Sequence, residues 1–531
     1  MIGRALAVVA AALVPSVVSA QAADCDRVAA TLKLPDAKVT AARLVPAGSF
    51  TPPATGTETP RAIANLPAFC RVELTITPSS DSDIKSEVWM PVSGWNGKFQ
   101  QVGNGAFAGS IQYGALGEAL RRGYAAASTD TGHTGPGAEW ALGHPEKIID
   151  FGYRAVHETA VHGKTAISNF YGMAPTLAYF TGCSGGGRMA FQEAQRYPAD
   201  FDAILAGAPA YDRANESLGF MMKWKATHET PGSVIPPATF PAMHRAALEA
   251  CDALDGLKDG LIEDPLSCRF DPAVVQCGGG RVLSSLDTLG TTLSRVEGSD
   301  PAACLTAPQV EAARKIYAGT KHPKTGELIF PGLEPGSELN WTAVTAGDVP
   351  LDVGSDVFKY VLFQDANWDP RTFDLAKDYD RIRRLDNLAF SPTSADLKAF
   401  AARGGKLLIY QGWGDPNVSP RSPLMYYDRL VKTMGQQQAD DAVKLFYAPG
   451  MGHCGGGEGP NVFDALTPLE QWREQGMPPS SILATHATNG KVDRTRPLCP
   501  YPQIAHYKGT GSIDEAGNFF CAEKSHVPAS R

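Results

Sequence analysis

The sequence has no long run of basic residues, and its formal net charge at pH 7 is −8. Nucleic acids and anionic membranes bind clustered lysine and arginine, so neither is expected as a partner. Beyond the N-terminus, no apolar stretch is long enough to span a bilayer. The sequence also has no internal repeat, which excludes a repeat architecture. With 531 residues, of which 43% are hydrophobic and 20% charged, it has an ordinary globular composition.

Cysteine occurs ten times, and no two cysteines have the Cys-x-x-Cys spacing that is typical of zinc ribbons. An even number of cysteines in an exported chain favours disulfide bonds over thiolate metal ligands. Spacing alone does not decide which cysteines pair. They are Cys25, Cys70, Cys183, Cys251, Cys268, Cys277, Cys304, Cys454, Cys499 and Cys521.

The N-terminus has the pattern of a secretory signal peptide. Arg4 supplies a positive charge, residues 5–18 are small and apolar, and residues 18–20 and 20–22 both fit the small-x-small cleavage rule. The alternative, a membrane anchor, needs a longer and more apolar span. We therefore predict that residues 1–22 are a signal peptide and that the mature protein is secreted or periplasmic.

From residue 85 to residue 210 the sequence alternates between strand-like and helix-like patterns. Strands are predicted at residues 87–92, 97–102, 124–129, 177–182 and 203–207, and helices at residues 153–171 and 188–197. This alternation predicts a mostly parallel sheet that is covered by helices on both faces.

The alternation stops at about residue 211 and returns at about residue 394. The interval is rich in Gly, Pro, Trp and acidic residues, and it holds four of the ten cysteines. After it, strands are predicted at residues 406–411 and 443–447 and helices at residues 423–434 and 464–475. Either one α/β domain carries an inserted domain, or two domains are independent. We favour an insertion, because candidate catalytic residues lie on both sides of it.

Ser184 lies in a Gly-x-Ser-x-Gly pattern between a predicted strand and a predicted helix. This setting is typical of the sharp turn that exposes a nucleophilic serine. The turn brings Gly182 and Gly186 too close together for side chains. The alternative is a glycine-rich strand-to-helix turn with an incidental serine, but the strand–turn–helix context favours a nucleophile.

A carboxylate and a histidine follow the ends of two later strands. Asp415 comes after the strand at 406–411, and His453 comes after the strand at 443–447. The order Ser184, Asp415, His453 is that of α/β-hydrolases, whose sites form at the carboxyl ends of parallel strands. An Asp-Pro or a Gly-His alone is usually structural, so the joint order carries the prediction of a catalytic triad.

The predicted organisation follows from this order. Residues 23–210 and 395–531 form an α/β-hydrolase catalytic domain, and residues 211–394 form a large inserted lid domain. An oxyanion hole needs two backbone N–H groups. We predict Gly185 for the first and Gly105, in the loop at 103–107, for the second, although a glycine turn without a role explains Gly105 equally well.

The nucleophile and the base each have a cysteine neighbour, in Cys183-Ser184 and His453-Cys454. If these cysteines are joined, one covalent bond fixes the nucleophile to the base. These two motifs, together with Asp415, resemble the tannase and feruloyl esterase family, whose hallmark is a Ser-Asp-His triad flanked by bonded cysteines. The resemblance covers nearly the whole mature chain, and it implies that Cys183 and Cys454 form a disulfide.

The resemblance also implies the remaining pairs and a metal site. The implied disulfides are Cys25–Cys70, Cys251–Cys268, Cys277–Cys304 and Cys499–Cys521. Family members bind calcium in the lid at a loop like residues 251–261, which suits a cation that prefers oxygen ligands. The implied ligands of this structural Ca²⁺ are the side chains of Asp252, Asp255 and Asp259 and the carbonyls of Leu257 and Leu261. Physical chemistry alone would favour a solvated acidic turn.

The family hydrolyses esters of aromatic acids, so the resemblance implies a small aromatic ester as substrate, attached to a plant polysaccharide or to a tannin. Phe363 is expected to stack on the aromatic ring and Lys359 to pair with a carboxylate, although both residues could instead belong to the lid core and surface. One branch hydrolyses mono-hydroxyethyl terephthalate, but its best-known member has an acidic residue where this chain has Gly185.

Two alternatives of other classes remain. A non-catalytic, calcium-stabilised binding protein would be expected to have a damaged triad, and a secreted peptidase would be distinguished by its amide substrates. The sequence does not predict an oligomeric state.

Overall fold

The computed structural model of the chain describes residues 25–54, 60–278, 304–386 and 390–523. The predicted signal peptide, residues 1–22, lies outside these ranges. A bilayer-spanning helix needs about 20 apolar residues, and none of the helices in the described ranges meets that requirement.

The helices and strands are numbered separately in chain order. The strands are β1 (Ala37–Val45), β2 (Gly48–Phe50), β3 (Ile63–Leu66), β4 (Phe69–Ile76), β5 (Ile84–Pro91), β6 (Lys98–Val102), β7 (Ala125–Thr129), β8 (Leu177–Cys183), β9 (Ala203–Gly207), β10 (Thr320–Lys321), β11 (Leu328–Phe330), β12 (Lys406–Gly412), β13 (Val443–Ala448), β14 (Val462–Phe463), β15 (Ile482–Thr488), β16 (Lys491–Leu498), β17 (Gln503–Tyr507) and β18 (Phe519–Glu523). The α-helices are α1 (Cys25–Thr31), α2 (Tyr113–Arg121), α3 (Pro145–Ile149), α4 (Ala155–Tyr171), α5 (Gly185–Arg196), α6 (Arg213–His228), α7 (Phe240–Cys251), α8 (Ala307–Ala318), α9 (Thr342–Thr345), α10 (Asp352–Asp356), α11 (Leu375–Leu385), α12 (Lys398–Ala402), α13 (Arg421–Met434), α14 (Gln436–Ala442) and α15 (Leu466–Gln475). Two π-helical turns cover Asp150–Arg154 and Val357–Leu362.

A nine-stranded sheet forms the centre of the described structure, in the order β1-β4-β5-β7-β6-β8-β9-β12-β13. From β7 to β13 neighbouring strands are parallel, whereas β1, β4, β5 and β7 pair antiparallel. The parallel strand β7 reads AAAST, and every residue of it is buried. Such unbroken runs of buried residues arise because helices cover both faces of a parallel sheet.

Two apolar cores lie on the two faces of this sheet. On one face α4, α5 and α13 pack through residues such as Ile167, Met189 and Leu430. On the other face α2 and α15 pack through residues such as Leu116 and Leu469. The predicted α/β fold with a large, mostly parallel sheet is therefore confirmed.

The predicted strands and helices correspond to β5 to β9, β12 and β13, and to α4, α5, α13 and α15, with small differences at their ends. One difference affects the candidate site: α5 begins at Gly185, three residues before the predicted start at Arg188. Three consecutive glycines have low helix propensity, so the sequence pattern places the start of this helix too late.

The chain between β9 and β12 adds no strand to the central sheet among the described residues. In the described ranges it forms helices α6 to α12 and the short hairpin β10–β11. Part of it packs on the catalytic half of the chain, because Phe107 and Phe151 share one apolar core with Leu218 and Phe358. The bounds of a separate lid domain at residues 211 and 394 stay a prediction.

Candidate active site

Ser184 occupies a strained turn between β8 and α5. Its backbone has φ 62° and ψ −118°, a left-handed conformation that is uncommon for a residue other than glycine. The turn is held because the Ser184 amide donates to the carbonyl of Gly207 over 2.9 Å, and the Ser184 carbonyl accepts from the amide of Arg188 over 3.0 Å. The carboxyl end of β8 therefore presents Ser184 at a sharp corner, as the sequence predicts for a nucleophile.

The glycines around this corner are required by close backbone contacts. A Cβ atom at Gly182 would lie 2.7 Å from the carbonyl carbon of Gly186. A Cβ at Gly187 would lie 2.5 Å from the carbonyl oxygen of Gly207. These distances are shorter than any van der Waals contact, so side chains at these positions would force the turn apart.

Asp415 and His453 lie together at the ends of β12 and β13. The Nδ1 atom of His453 is 2.8 Å from Oδ2 of the fully buried Asp415 carboxylate. The other oxygen of Asp415 accepts from the amides of Asn417 and Val418 over 2.8 and 3.0 Å. These bonds fix the carboxylate, which in turn orients the imidazole.

The electrostatic surroundings of His453 stabilise its cation. Burial acts to lower the pKa of His453, but the charge and hydrogen bond of Asp415 and the charge of Glu216 outweigh it, so the pKa is raised. Lys223 opposes this with a smaller effect. A histidine whose charged form is stabilised is suited to hold a proton during a reaction.

A disulfide joins the immediate neighbours of Ser184 and His453. Cys183 and Cys454 are bonded, with S–S 2.02 Å and Cα–Cα 6.1 Å, across a sequence separation of 271 residues. The other four pairs implied by the family resemblance are also bonded in the structure: Cys25–Cys70, Cys251–Cys268, Cys277–Cys304 and Cys499–Cys521. Ser184 and His453 are thus held on two sides of one short covalent bridge.

The loop predicted to complete an oxyanion hole lies against Gly185. A Cβ at Gly185 would be 3.0 Å from both the amide nitrogen and the carbonyl oxygen of Ala106. The amide of Gly103 is already bonded to the carbonyl of Thr181 over 2.9 Å, which leaves it unavailable for a ligand. The structure therefore brings the loop and Gly185 together, while the role of the Gly105 amide stays a prediction.

Asn104, which the sequence did not single out, anchors this loop. Its side chain is only 2% exposed, and its amide nitrogen lies 3.0, 2.8 and 3.0 Å from the carbonyl oxygens of Ala108, Ser110 and Thr129. His133 adds a bond of 2.6 Å from Nε2 to the carbonyl oxygen of Phe107. These side chains fix the position of the backbone that faces Gly185.

Helix α6 brings buried charges to the site from the inserted part of the chain. Glu216 and Arg213 form an ion pair of 3.1 Å, and both are nearly inaccessible to solvent. Lys223 donates to the carbonyl of Pro416 over 2.7 Å, next to Asp415. Burial lowers the pKa of Lys223 to about 8, although Glu216 and Asp415 act to raise it. The insertion therefore contributes to the electrostatics around the triad.

A second link runs from the insertion to the loop after His453. His244, on α7, has Nδ1 3.0 Å from the carboxylate of Glu338 and Nε2 2.8 Å from that of Glu458. Burial acts to lower the pKa of His244, but hydrogen bonds and charges from the two glutamates raise it to about 9. A cation held between two carboxylates thus ties α7 to the glycine-rich segment that follows Cys454.

The two predicted substrate contacts occupy different environments. Phe363 is 7% exposed, with Arg381 stacked over its ring at 3.9 Å and the rings of Phe358 and Trp368 at 5.9 and 5.3 Å. It therefore forms part of the core of the insertion. Lys359 lies on the second π-helical turn, half-buried, with Nζ 5.2 Å from the ring of Tyr360. Direct contact of either residue with a substrate stays a prediction.

The predicted calcium loop bends at Gly256 and Gly260, both with positive φ. Burial, with the charges of Asp259 and Asp252, raises the pKa of Asp255 to about 6. The donors suit a hard cation, but across the described ranges no three acidic, histidine or cysteine side chains are gathered for a metal ion.

Two of the three predicted aspartate ligands already have partners within the protein. The Asp259 carboxylate pairs with the buried Arg496, and the Asp252 carboxylate accepts from the amides of Asp259 and Gly260 over 3.0 and 2.9 Å. Calcium binding therefore stays a prediction.

Comparison with known proteins gives consistent matches. A family model described as tannase and feruloyl esterase matches residues 70–522. An uncharacterized esterase of Xanthomonas campestris pv. campestris is 39% identical over 98% of this chain and 94% of its own length. A probable feruloyl esterase B-2 of Aspergillus terreus is 31% identical over 94% of this chain and 95% of its own. The crystal structure of feruloyl esterase B from Aspergillus oryzae, 29% identical, has a TM-score of 0.85 and covers 94% of this chain and 99% of its own. The predicted α/β-hydrolase fold is therefore confirmed.

The first prediction concerns the Cys183–Cys454 bridge. Replacing both cysteines by alanine should lower the rate at which Ser184 is labelled by a fluorophosphonate by about 100-fold, because misplaced catalytic groups lose that much. The matched control removes Cys499 and Cys521, which close a loop with a separation of 22 residues in the C-terminal hairpin, and should keep the labelling rate. Equal losses in both double variants would contradict a specific role of the bridge.

The second prediction concerns Asn104. The substitution Asn104→Ala should lower kcat for p-nitrophenyl acetate by about 10- to 100-fold with little change in KM, because it releases the loop that faces Gly185. Thermal unfolding would confirm that the variant is folded. Asn96→Ala, at an exposed asparagine before β6, is the control and should leave kcat unchanged. A higher KM with normal kcat would show that Asn104 does not position groups for the reaction.

Proposed function

The chain belongs to the tannase and feruloyl esterase family, and we propose that it is a secreted serine esterase that hydrolyses carboxylic esters of hydroxycinnamic or gallic-type aromatic acids. Members of this family are carboxylic ester hydrolases. The observation that carries the proposal is the geometry of the site. Ser184 lies on a strained turn directly after Cys183, which is disulfide-bonded to Cys454, and His453 is hydrogen-bonded to Asp415.

The proposed reaction begins with proton transfer from Ser184 to His453. Because Nδ1 of His453 faces Asp415, Nε2 is the nitrogen left to accept the proton. The Ser184 oxygen then attacks the ester carbonyl. Asp415 remains ionised, holds the imidazole in the required tautomer and stabilises its cation.

The oxyanion that forms lies at the N-terminus of α5, which begins at Gly185 directly after the nucleophile. The free N–H groups and the dipole of a helix N-terminus stabilise negative charge there. We assign the first donor to the Gly185 amide and the second to the Gly105 amide. His453 next protonates the leaving alcohol, and a water molecule repeats the steps to release the acid from the acyl-enzyme.

An aromatic acid is favoured by the family, and a buried aromatic core begins at Phe107, next to the Ala106 backbone that faces Gly185. The apolar core that joins the catalytic half to the insertion includes Phe107, Phe151, Phe358 and Phe363. Aromatic side chains provide large, rigid contact surfaces for an aromatic ring. In this proposal the acid lies between Ser184 and this core.

A hydrolase of mono-hydroxyethyl terephthalate is a second candidate within the same reaction class. It is favoured by Lys359, whose charge could pair with the free carboxylate of that substrate, and it is weakened by Gly185, where the best-known member of that branch has an acidic residue. A non-catalytic binding protein is less well supported, since all three groups of the triad are present.

Export is proposed from the disulfides and from residues 1–22. The described residues contain five disulfides, and disulfide bonds form and persist in oxidising compartments. The pattern of residues 1–22 is that of a signal peptide. Both fit a secreted or periplasmic enzyme.

We also propose a structural Ca²⁺ held by the side chains of Asp252, Asp255 and Asp259 and the carbonyls of Leu257 and Leu261. The family resemblance supports it, and a bound cation would offset the burial and the charges of Asp259 and Asp252 that raise the pKa of Asp255. The ion would close the loop next to the Cys251–Cys268 bond and would take no part in the reaction.

The substrate prediction is tested with the purified mature protein and its Ser184→Ala variant. The panel contains methyl ferulate, methyl gallate, mono-hydroxyethyl terephthalate and p-nitrophenyl acetate, with feruloyl amide as an amide control. We expect one aromatic-acid ester to have a kcat/KM at least about tenfold above that of the nitrophenyl ester, and Ser184→Ala to lower it by at least about 10³-fold. Full activity of Ser184→Ala would refute the mechanism, and turnover of the nitrophenyl ester alone would refute the aromatic specificity.

The calcium prediction is tested by thermal unfolding in EDTA and after addition of Ca²⁺. At a free concentration of about 100 times Kd, bound calcium should stabilise the fold by about 2.7 kcal/mol and raise Tm accordingly. The Asp255→Asn variant should lose this rise, whereas Asp271→Asn, at an exposed aspartate outside the loop, should keep it. The same Tm with and without Ca²⁺, or an equal rise with Mg²⁺, would argue against the site.

A further inference from the structure

We propose that a polar cavity behind α6, separate from the Ser184 site, binds a neutral sugar residue. That this sugar belongs to the alcohol side of the ester substrate rests on the function proposed above, whereas the binding itself does not. The inference is carried by the shape of the cavity, by two buried acceptor atoms on residues that line it and by its balanced charge.

The cavity has a volume of about 370 Å³, within the range of small-molecule sites. It lies between the start of α6, the hairpin β10–β11, and helices α11 and α13. Ser184, Asp415 and His453 are not among the described residues that line it. Asn215 faces it, whereas Glu216, the next residue, belongs to the charged group near His453. Successive residues of a helix point about 100° apart, so α6 separates the two sites.

Two buried acceptor atoms, both on residues that line the cavity, lack a donor. The side chain of Asn215 is nine-tenths buried and donates through Nδ2 to Oδ2 of Asp212 over 3.0 Å. Within residues 25–54, 60–278, 304–386 and 390–523, neither Oδ1 of Asn215 nor Oδ1 of Asp212 has a hydrogen-bond partner. A buried acceptor without a donor is costly. A ligand that brings hydrogen-bond donors to these two lining residues, as neighbouring hydroxyl groups do, would relieve this cost.

The charges in the wall favour a neutral ligand. Asp212 and Glu327 line the cavity together with Arg383 and Arg429, so two carboxylates balance two guanidinium groups. Both arginines act electrostatically on Asp212. An anion would be repelled by the carboxylates of Asp212 and Glu327, and a cation would be repelled by the two arginines. A purely apolar ligand would leave the acceptors unpaired.

The wall also offers donors and a ring. The Nδ1 atom of His322 accepts from the amides of Lys324 and Thr325 over 3.2 and 3.1 Å, so the neutral ring carries its proton on Nε2. The ring of Tyr379 lies edge-to-face with His322, at 5.2 Å, and is only half-buried. A pyranose or furanose matches this wall. Its ring and hydroxyl oxygens would accept from the donors, its hydroxyl hydrogens would reach the acceptors, and its C–H groups would pack on the aromatic ring.

The test measures binding of unesterified sugars to the full mature protein. The probes are L-arabinose and xylobiose, followed by saturation-transfer NMR and by calorimetric titration. We expect a Kd of about 1–10 mM, weakened at least about fivefold in Tyr379→Ala and in Asn215→Leu, since each loses roughly 1 kcal/mol of contact. Phe520→Ala, at an exposed ring of β18 that is 49% accessible, is the matched control and should bind like the wild type.

The outcomes separate this inference from the proposed function. No binding below about 100 mM, the same Kd in Tyr379→Ala and wild type, or tighter binding of benzoate than of xylobiose would overturn the sugar site. Methyl ferulate hydrolysis should change by less than about twofold in both cavity variants, while KM for a feruloylated arabinoxylan oligosaccharide rises at least about fivefold. Sugar binding without that rise would overturn the link to the substrate, and failure of the wild type on all esters would refute only the proposed function.

Discussion

The site depends on the covalent bond between Cys183 and Cys454. It joins the end of β8 to the loop after β13, although 271 residues of chain separate them. Without it, the relative position of Ser184 and His453 would depend on how two distant loops pack. A long closed loop also removes many unfolded conformations, which the chain-entropy account values at ~5 kcal/mol. One bond thus contributes both to the geometry of the reaction and to the stability of the chain that carries it.

The pairing of β9 with β12 shows how the sheet accommodates the long segment that lies between these two strands. The insertion leaves after β9 and returns at β12, and these strands pair directly, with Lys406 opposite Ala203. The inserted chain is nevertheless coupled to the triad. Lys223 bonds next to Asp415, Glu216 acts on the pKa of His453, and His244 reaches Glu458. A change in the insertion therefore alters the electrostatics around His453.

Much of the catalytic half could be predicted from sequence, and little of the insertion. Strands such as β9 and β12 are short apolar runs with strong periodic signals, and Ser184 lies in a pattern that has few other uses. By contrast, Asn104 has no local signal, since its importance comes from the folded course of its loop, which brings the carbonyls of Ala108, Ser110 and Thr129 to its side-chain amide. Phe363 is covered by Arg381, and Asp259 by Arg496. Such long-range pairings are fixed by tertiary packing, which single-sequence patterns do not contain.

The adjacency of β9 and β12 has a consequence for how such enzymes diversify. Because the two strands lie side by side in register, the ends of the insertion are close together on a rigid sheet. Recombination at these two strands would exchange one complete inserted segment for another. Ser184, the Cys183–Cys454 bridge and the central sheet would stay intact. New specificities would then arise by transplanting a whole module rather than by accumulating point substitutions. The contacts that cross from the insertion to the rest of the chain, among them Lys223 with Pro416, His244 with Glu458 and Asp259 with Arg496, would have to be matched in the hybrid.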